Sequence, residues 1–88
     1  MKIERHLNFK KSYKKQIAKN AQFVKKLEER IILFQTDPTN SILRDHKLSG
    51  EKNAFRAFSV TGDIRIIYLR ISKDHVILLD IGTHSQVY

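Results

Sequence analysis

Asp63-Ile64-Arg65-Ile66-Ile67-Tyr68-Leu69-Arg70-Ile71, the polar Ser72-Lys73-Asp74, and then His75-Val76-Ile77-Leu78-Leu79-Asp80-Ile81-Gly82 decide the fold. Two apolar runs of strand length joined by three polar residues predict antiparallel neighbours. Residues 54–60 (Ala-Phe-Arg-Ala-Phe-Ser-Val) read as a further strand, with Thr61-Gly62 as the tight turn into the first of these runs. The Ile- and Leu-rich final strands suggest the centre of the sheet. Asp63 and Arg65, two residues apart, are expected on one face.

Upstream the periodicity changes. Residues 2–7 alternate, with Ile3, Arg5 and Leu7 on one side, and predict a short first strand. Asn8 is a candidate helix cap, and Phe9, Tyr13 and Ile17 repeat every four residues over 9–19, surrounded by Lys10, Lys11, Lys14, Lys15 and Lys19. Asn20 can cap a second helix whose apolar face is Val24, Leu27, Ile31 and Phe34, widened by Phe23 and Ile32, and which Asp37-Pro38 stops. With almost no loop between them, the helices should form an antiparallel hairpin. Residues 37–53 read as a long loop anchored by Leu43 and Leu48 and carrying Arg44, Asp45, His46 and Lys47. The expectation is one α+β domain over 1–88, β-α-α-β-β-β, with a helical hairpin packed on one face of a mainly antiparallel sheet. Two helices cannot cover both faces, so the other should be partly open and edged by basic residues.

Seventeen Lys and Arg against nine Asp and Glu give 88 residues a net charge of +8. Such an excess favours a polyanionic partner, although lysines also simply solvate helix faces. Cysteine is absent, which excludes disulfides and thiolate metal sites. No apolar run of about 18 residues occurs and residues 1–6 turn polar at once, so neither a membrane partner nor a secretory signal is expected, and a cytoplasmic protein is. There is no glycine-rich phosphate loop, HExxH, EF-hand or cluster of carboxylates at ligand spacing, so neither cofactor nor metal is expected. Nine scattered acidic residues give poor support for a two-metal nuclease.

What is present is a dispersed set: His46 on the loop, Arg56 and Asp63 and Arg65 on or beside the strands, and His84 after the last strand. Metal-free RNA cleavage needs these types. The 2′-hydroxyl must lose a proton, the departing 5′-oxygen must gain one, and the phosphoryl charge must be met by cations. Histidine titrates near working pH. Arginine offers a planar fork to phosphate, and an aromatic ring can stack on a base. Each residue also has a commonplace reading: His46 as a surface loop residue, Asp63 as a turn residue beside Gly62, Arg56 as a partner for a carboxylate, and Tyr13 and Tyr68 as core.

The stretches Asp45-His46-Lys47-Leu48-Ser49-Gly50, Phe55-Arg56, Gly62-Asp63-Ile64-Arg65-Ile66-Ile67-Tyr68 and Ile81-Gly82-Thr83-His84, with Tyr88 four residues on, resemble the RelE/ParE toxin superfamily and its YafQ-like branch. The resemblance covers nearly the whole chain. It implies a microbial RNase-like fold in the toxin of a type II toxin–antitoxin system. It further implies metal-independent endoribonuclease cleavage of mRNA in the ribosomal (30S) A site, neutralisation by a cognate antitoxin, and operator DNA contacted only through that antitoxin. By position, His46, Asp63 and His84 match active-site residues of the YafQ-like pattern, and Tyr88 matches its aromatic. Arg65 matches a phosphate-stabilising arginine of RelE proper. Ser59 stands where a further active-site histidine is expected, and a hydroxyl cannot serve as a neutral-pH base.

The roles this implies are His84 as general acid, His46 as general base, Asp63 orienting or sharing that task, and Arg65 on the phosphoryl charge. Lys47, Lys52 and Arg56 would bind substrate, and Tyr88 would stack on a base. The same scaffold suits a ParE-like toxin that poisons DNA gyrase without cutting RNA, or a basic module that only binds antitoxin and operator.

Overall fold

The computed structural model describes residues 1–50 and 54–88. In chain order these form β1 (Lys2–Arg5), α1 (Leu7–Gln16), α2 (Ala21–Thr36), a 3₁₀ turn (Ser41–Leu43), β2 (His46–Lys47), β3 (Arg56–Ser59), β4 (Ile64–Ser72), β5 (His75–Thr83) and a short α3 (His84–Val87). The strands make one sheet in the order β1-β5-β4-β3-β2. β2 to β5 pair antiparallel, as the short turns from β3 to β4 and from β4 to β5 require for those pairs, whereas β1 lies parallel to β5. The chain is therefore the expected α+β fold on a mixed sheet. A parallel partner needs a long crossover, which here carries both helices, and alternation within β1 is silent on direction.

The helix boundaries differ from expectation by a few residues, for local reasons. His6, not Asn8, caps α1: its Nδ1 accepts from the Asn8 backbone N–H at 3.1 Å, so the first strand ends at Arg5. Asn20 caps α2 as expected, accepting from the Gln22 and Phe23 N–H groups.

One apolar cluster joins the helices to one sheet face. Phe9 and Ile17 from the α1 segment and Leu27 and Phe34 from α2 pack with Phe58, Ile66, Tyr68, Val76, Leu78 and Ile81. Phe34 lies at its centre, stacked on Phe58 with ring centroids 4.6 Å apart and edge-on to Tyr68 at 4.9 Å. Ile32, expected to widen this face, is instead 60% exposed. Leu43 and Leu48 are buried, so the long loop is anchored where its two leucines stand.

The opposite face is not bare. A second, smaller cluster of Leu48, Ala57, Ile67 and Val87, with Phe55 and Leu79, covers part of it. Val87 belongs to α3, so the turn of helix after β5 folds back over the sheet. Gly82 permits this, because a Cβ there would sit 2.8 Å from Gln86 Oε1 and 3.1 Å from Val87 Cγ1. Gln86 Oε1 in turn accepts from the Thr83 backbone N–H at 2.8 Å and pins the start of α3.

Candidate active site

Strand register sorts the candidates by face. Ser59, Arg65 and Gly82 are cross-strand partners and share the face over which α3 folds. Phe58, Ile66 and Ile81, one residue away on each strand, share the core face.

On the α3 side three side chains meet around one phenol. Tyr88 Oη lies 2.9 Å from His46 Nε2. The His84 ring lies against Tyr88 with centroids 4.2 Å apart, and His46 meets the same ring edge-on at 5.7 Å. Arg65 approaches the Tyr88 hydroxyl: burial pushes the phenol up from its ordinary value, and the guanidinium beside it pulls the other way. Lys47 lines, with His46, Leu48, Ser49 and Tyr88, a small adjoining cavity of about 150 Å³, but its register opposite Arg56 sets its side chain on the other face of the strand from His46. The cluster unites β2, β4 and α3, which lie far apart in the chain.

Backbone carbonyls hold two of these groups. His46 Nδ1 lies 2.9 Å from the Arg44 carbonyl oxygen. A carbonyl only accepts, so Nδ1 carries the hydrogen and neutral His46 presents an Nε2 lone pair, to which Tyr88 donates. Arg44 adopts φ 49°, ψ 38°, a left-handed conformation unfavourable for a residue with a Cβ. That twist ends the 3₁₀ turn and turns the carbonyl toward His46. Arg65 Nη1 donates to the Thr61 carbonyl at 2.9 Å.

The residue before His46 is fixed from the other side of the sheet. Asp45 accepts from Tyr68 Oη at 2.8 and 2.7 Å and from Arg56 Nε at 3.2 Å. Burial, and then the carboxylate it bonds, push the Tyr68 phenol up to about 12. Arg56 is thus engaged as a carboxylate partner on the face opposite Arg65, and the structure does not bring it to the Tyr88 cluster. Asp63 is exposed in the turn that Thr61 Oγ1 closes by accepting from the Asp63 and Ile64 N–H groups. Its carboxylate makes no hydrogen bond to His46, Arg65, His84 or Tyr88. Lys52 lies outside the described residues. Among the described residues, no three His, Asp or Glu side chains converge at metal-ligand spacing.

Of the residues that the sequence and its family resemblance singled out, His46, Arg65, His84 and Tyr88 are brought together here. Sequence reading missed the Asp45–Tyr68 clamp, the Arg44 carbonyl and α3. The helix did have a signal: Thr83-His84-Ser85-Gln86 has capping-box spacing.

The comparisons with known proteins agree with this fold. Over residues 1–88 the chain matches the family described as YafQ, bacterial toxin of type II toxin–antitoxin system. A copper-bound mutant toxin from Helicobacter pylori is similar at 27% identity and TM-score 0.81, covering 100% of this chain and 99% of the other. YafQ from E. coli superposes at TM-score 0.82 with 22% identity, covering 99% and 97%. YafQ in the E. coli DinJ–YafQ complex gives 0.80 with 24% identity, covering 99% and 97%. No curated protein sequence matches the chain. A full-length family match, on a mixed sheet whose open face gathers two histidines, an arginine and a tyrosine, makes this chain a member of the YafQ family of type II toxin–antitoxin toxins.

Proposed function

We propose that this toxin is a metal-independent endoribonuclease that cuts mRNA on the ribosome, with the Tyr88 cluster as its active site. The observation that carries the reading is the pair of imidazoles flanking one phenol, one with its tautomer set by a backbone carbonyl. Neutral His46, with Nε2 free to accept, takes the proton from the 2′-hydroxyl as the incoming substrate displaces the Tyr88 hydroxyl. The 2′-oxygen attacks phosphorus, the P–O5′ bond breaks, and His84, in its protonated form, gives a proton to the departing 5′-oxygen. The products are a 2′,3′-cyclic phosphate and a 5′-hydroxyl. Arg65, with Lys47 beside the cluster, meets the charge on the phosphoryl oxygens. Tyr88 holds His46 in the free protein and, partly exposed, would stack on a base. Asp63, two residues from Arg65, is left to orient the substrate.

A short acidic antitoxin is the proposed partner, by analogy with the DinJ–YafQ complex of E. coli. It brings operator DNA within reach only through itself, and the proposed setting is the cytoplasm.

Primer extension on mRNA from induced cells, and from a reconstituted translation mixture given toxin that was stripped with EDTA and dialysed before addition, tests the reading. The expected result is new 5′ ends at codon positions, undiminished by chelation. DNA breaks without such ends would support gyrase poisoning instead.

A further inference from the structure

A larger concavity opens on the other side of Arg65. Lys26 and Arg30 of α2, Ser41, Ile42 and Arg44 in and beside the 3₁₀ turn, and Ser59, Thr61, Gly62 and Arg65 of the β3–β4 hairpin enclose about 590 Å³. Its wall carries four cationic side chains and no carboxylate. Lys26 and Arg30 are four residues apart on α2 and so share a face. Arg30 Nη1 donates to the Ile42 carbonyl at 3.1 Å, and Arg65 is tied to Thr61, so two of the guanidinia are pre-positioned. Ser59 is only 6% exposed, and its Oγ has no hydrogen-bond partner among the described residues. A buried hydroxyl left unpaired is a standing cost unless something binds there.

We infer that this cavity holds a phosphate of the RNA strand next to the one being cut, so that Arg65 is shared by two consecutive phosphates. The inference rests on the nuclease reading and deepens it. A strand threaded past Tyr88 meets Arg65 and then a cavity lined by four cations and no acid. Arg30 and Lys26 neutralise the second phosphate, and Ser59 supplies a neutral donor. The histidine expected at position 59 is then replaced by a binding group and not by a second base.

The probes are a 2′-O-methyl dinucleotide and a 2′-O-methyl hexanucleotide, which cannot be cleaved because the nucleophile is blocked. Each is titrated into ¹⁵N-labelled protein at several KCl concentrations. The dinucleotide should shift amides of His46, Lys47 and Tyr88, and the hexanucleotide should add Arg44, Ser59, Thr61 and Gly62. Arg30→Ala should weaken the hexanucleotide about tenfold and leave the dinucleotide unchanged. For each phosphate that is no longer neutralised, the slope of log K against log salt should flatten by about 0.7. Lys26→Ala should act in the same direction and covers the case in which Arg30→Ala misfolds. Ser59→Ala should lower hexanucleotide affinity without lowering the melting temperature.

Dinucleotide shifts at His46 and Tyr88 with no length-dependent effect of Arg30→Ala or Lys26→Ala would overturn the second site alone. Absence of shifts with either oligonucleotide would overturn the second site, while the nuclease reading falls only if primer extension on translated mRNA shows no new 5′ ends. An Asp/Glu-rich peptide that binds the cavity more tightly than the hexanucleotide would reassign it to a protein partner.

Discussion

The two faces of β3 and β4 are built from adjacent residues and held by different physics. On one face Phe58, Ile66 and Tyr68 meet Phe34 and are wholly buried, so order there comes from close packing. On the other, Ser59 and Arg65 stand beside His46, His84 and Tyr88, and order comes from single hydrogen bonds, two of them to the carbonyls of Arg44 and Thr61. Packing is redundant, because each core side chain has many neighbours. The polar face has about one bond per side chain and leaves most of each group available to a ligand. Substitutions on the two faces should therefore separate stability from activity.

Phe34→Ala tests the packed face and carries the largest effect. Removing a ring engaged with both Phe58 and Tyr68 should cost about 3–5 kcal/mol, seen as a lower urea midpoint. For a domain whose whole stability is of order 5–15 kcal/mol, that approaches unfolding. Cleavage per folded molecule should not change, and a specific loss of turnover at full stability would break the comparison.

Tyr68→Phe tests the junction, since Tyr68 is core by its ring and a loop anchor by its hydroxyl. Losing hydrogen bonds to a carboxylate should cost about 1.5–3 kcal/mol. Cleavage should fall as well, because His46 follows Asp45 directly. A pH signature accompanies it. In the unfolded chain this phenol ionises near its ordinary value of 10, while in the folded protein it holds its proton to about 12. Its contribution is therefore complete below pH 10 and is lost as the pH rises from 10 to 12. Urea unfolding measured across that window should show the decline in the parent protein and a shallower one in Tyr68→Phe.

Tyr88→Phe is the smallest change, confined to the polar face. It keeps the ring against His84 and removes the bond to His46 Nε2. That bond gives way to substrate, so its loss of about 0.5–1.5 kcal/mol should lower the urea midpoint only slightly and change cleavage by no more than a few-fold. A large loss of turnover would show that the hydroxyl also acts on the bound substrate.

The packed face was the legible one in the sequence. Period-2 and period-4 apolar patterns identify Phe9, Leu27, Phe34, Ile66 and Val76 as core, because burial leaves its trace in hydropathy. The polar face was legible only as an unassembled set of residue types. Nothing local in Arg44 or Asp45 announces that one will turn a carbonyl toward His46 and the other will hold Tyr68. Those contacts depend on a left-handed residue and on a sheet partner 23 positions away. Arg56 shows the converse: its type suited phosphate, but its strand parity places it with Tyr68 on the core face. The parallel pairing of β1 with β5 was equally hidden, since alternation fixes which residues share a face and not which strand lies alongside.

If His46 and His84 act as base and acid on one phosphodiester, changing the leaving group separates their roles. An mRNA carrying sulfur in place of the 5′-bridging oxygen at the cleaved position is presented on the ribosome to the parent toxin, His46→Ala and His84→Ala. A thiolate leaves without protonation, so His84→Ala, slowed about 10²–10⁴-fold on the oxygen substrate, should recover most of its rate on the sulfur one, while His46→Ala stays slow on both. Equal impairment of the two variants on the sulfur substrate, or full activity of His84→Ala on the oxygen substrate, would contradict those roles.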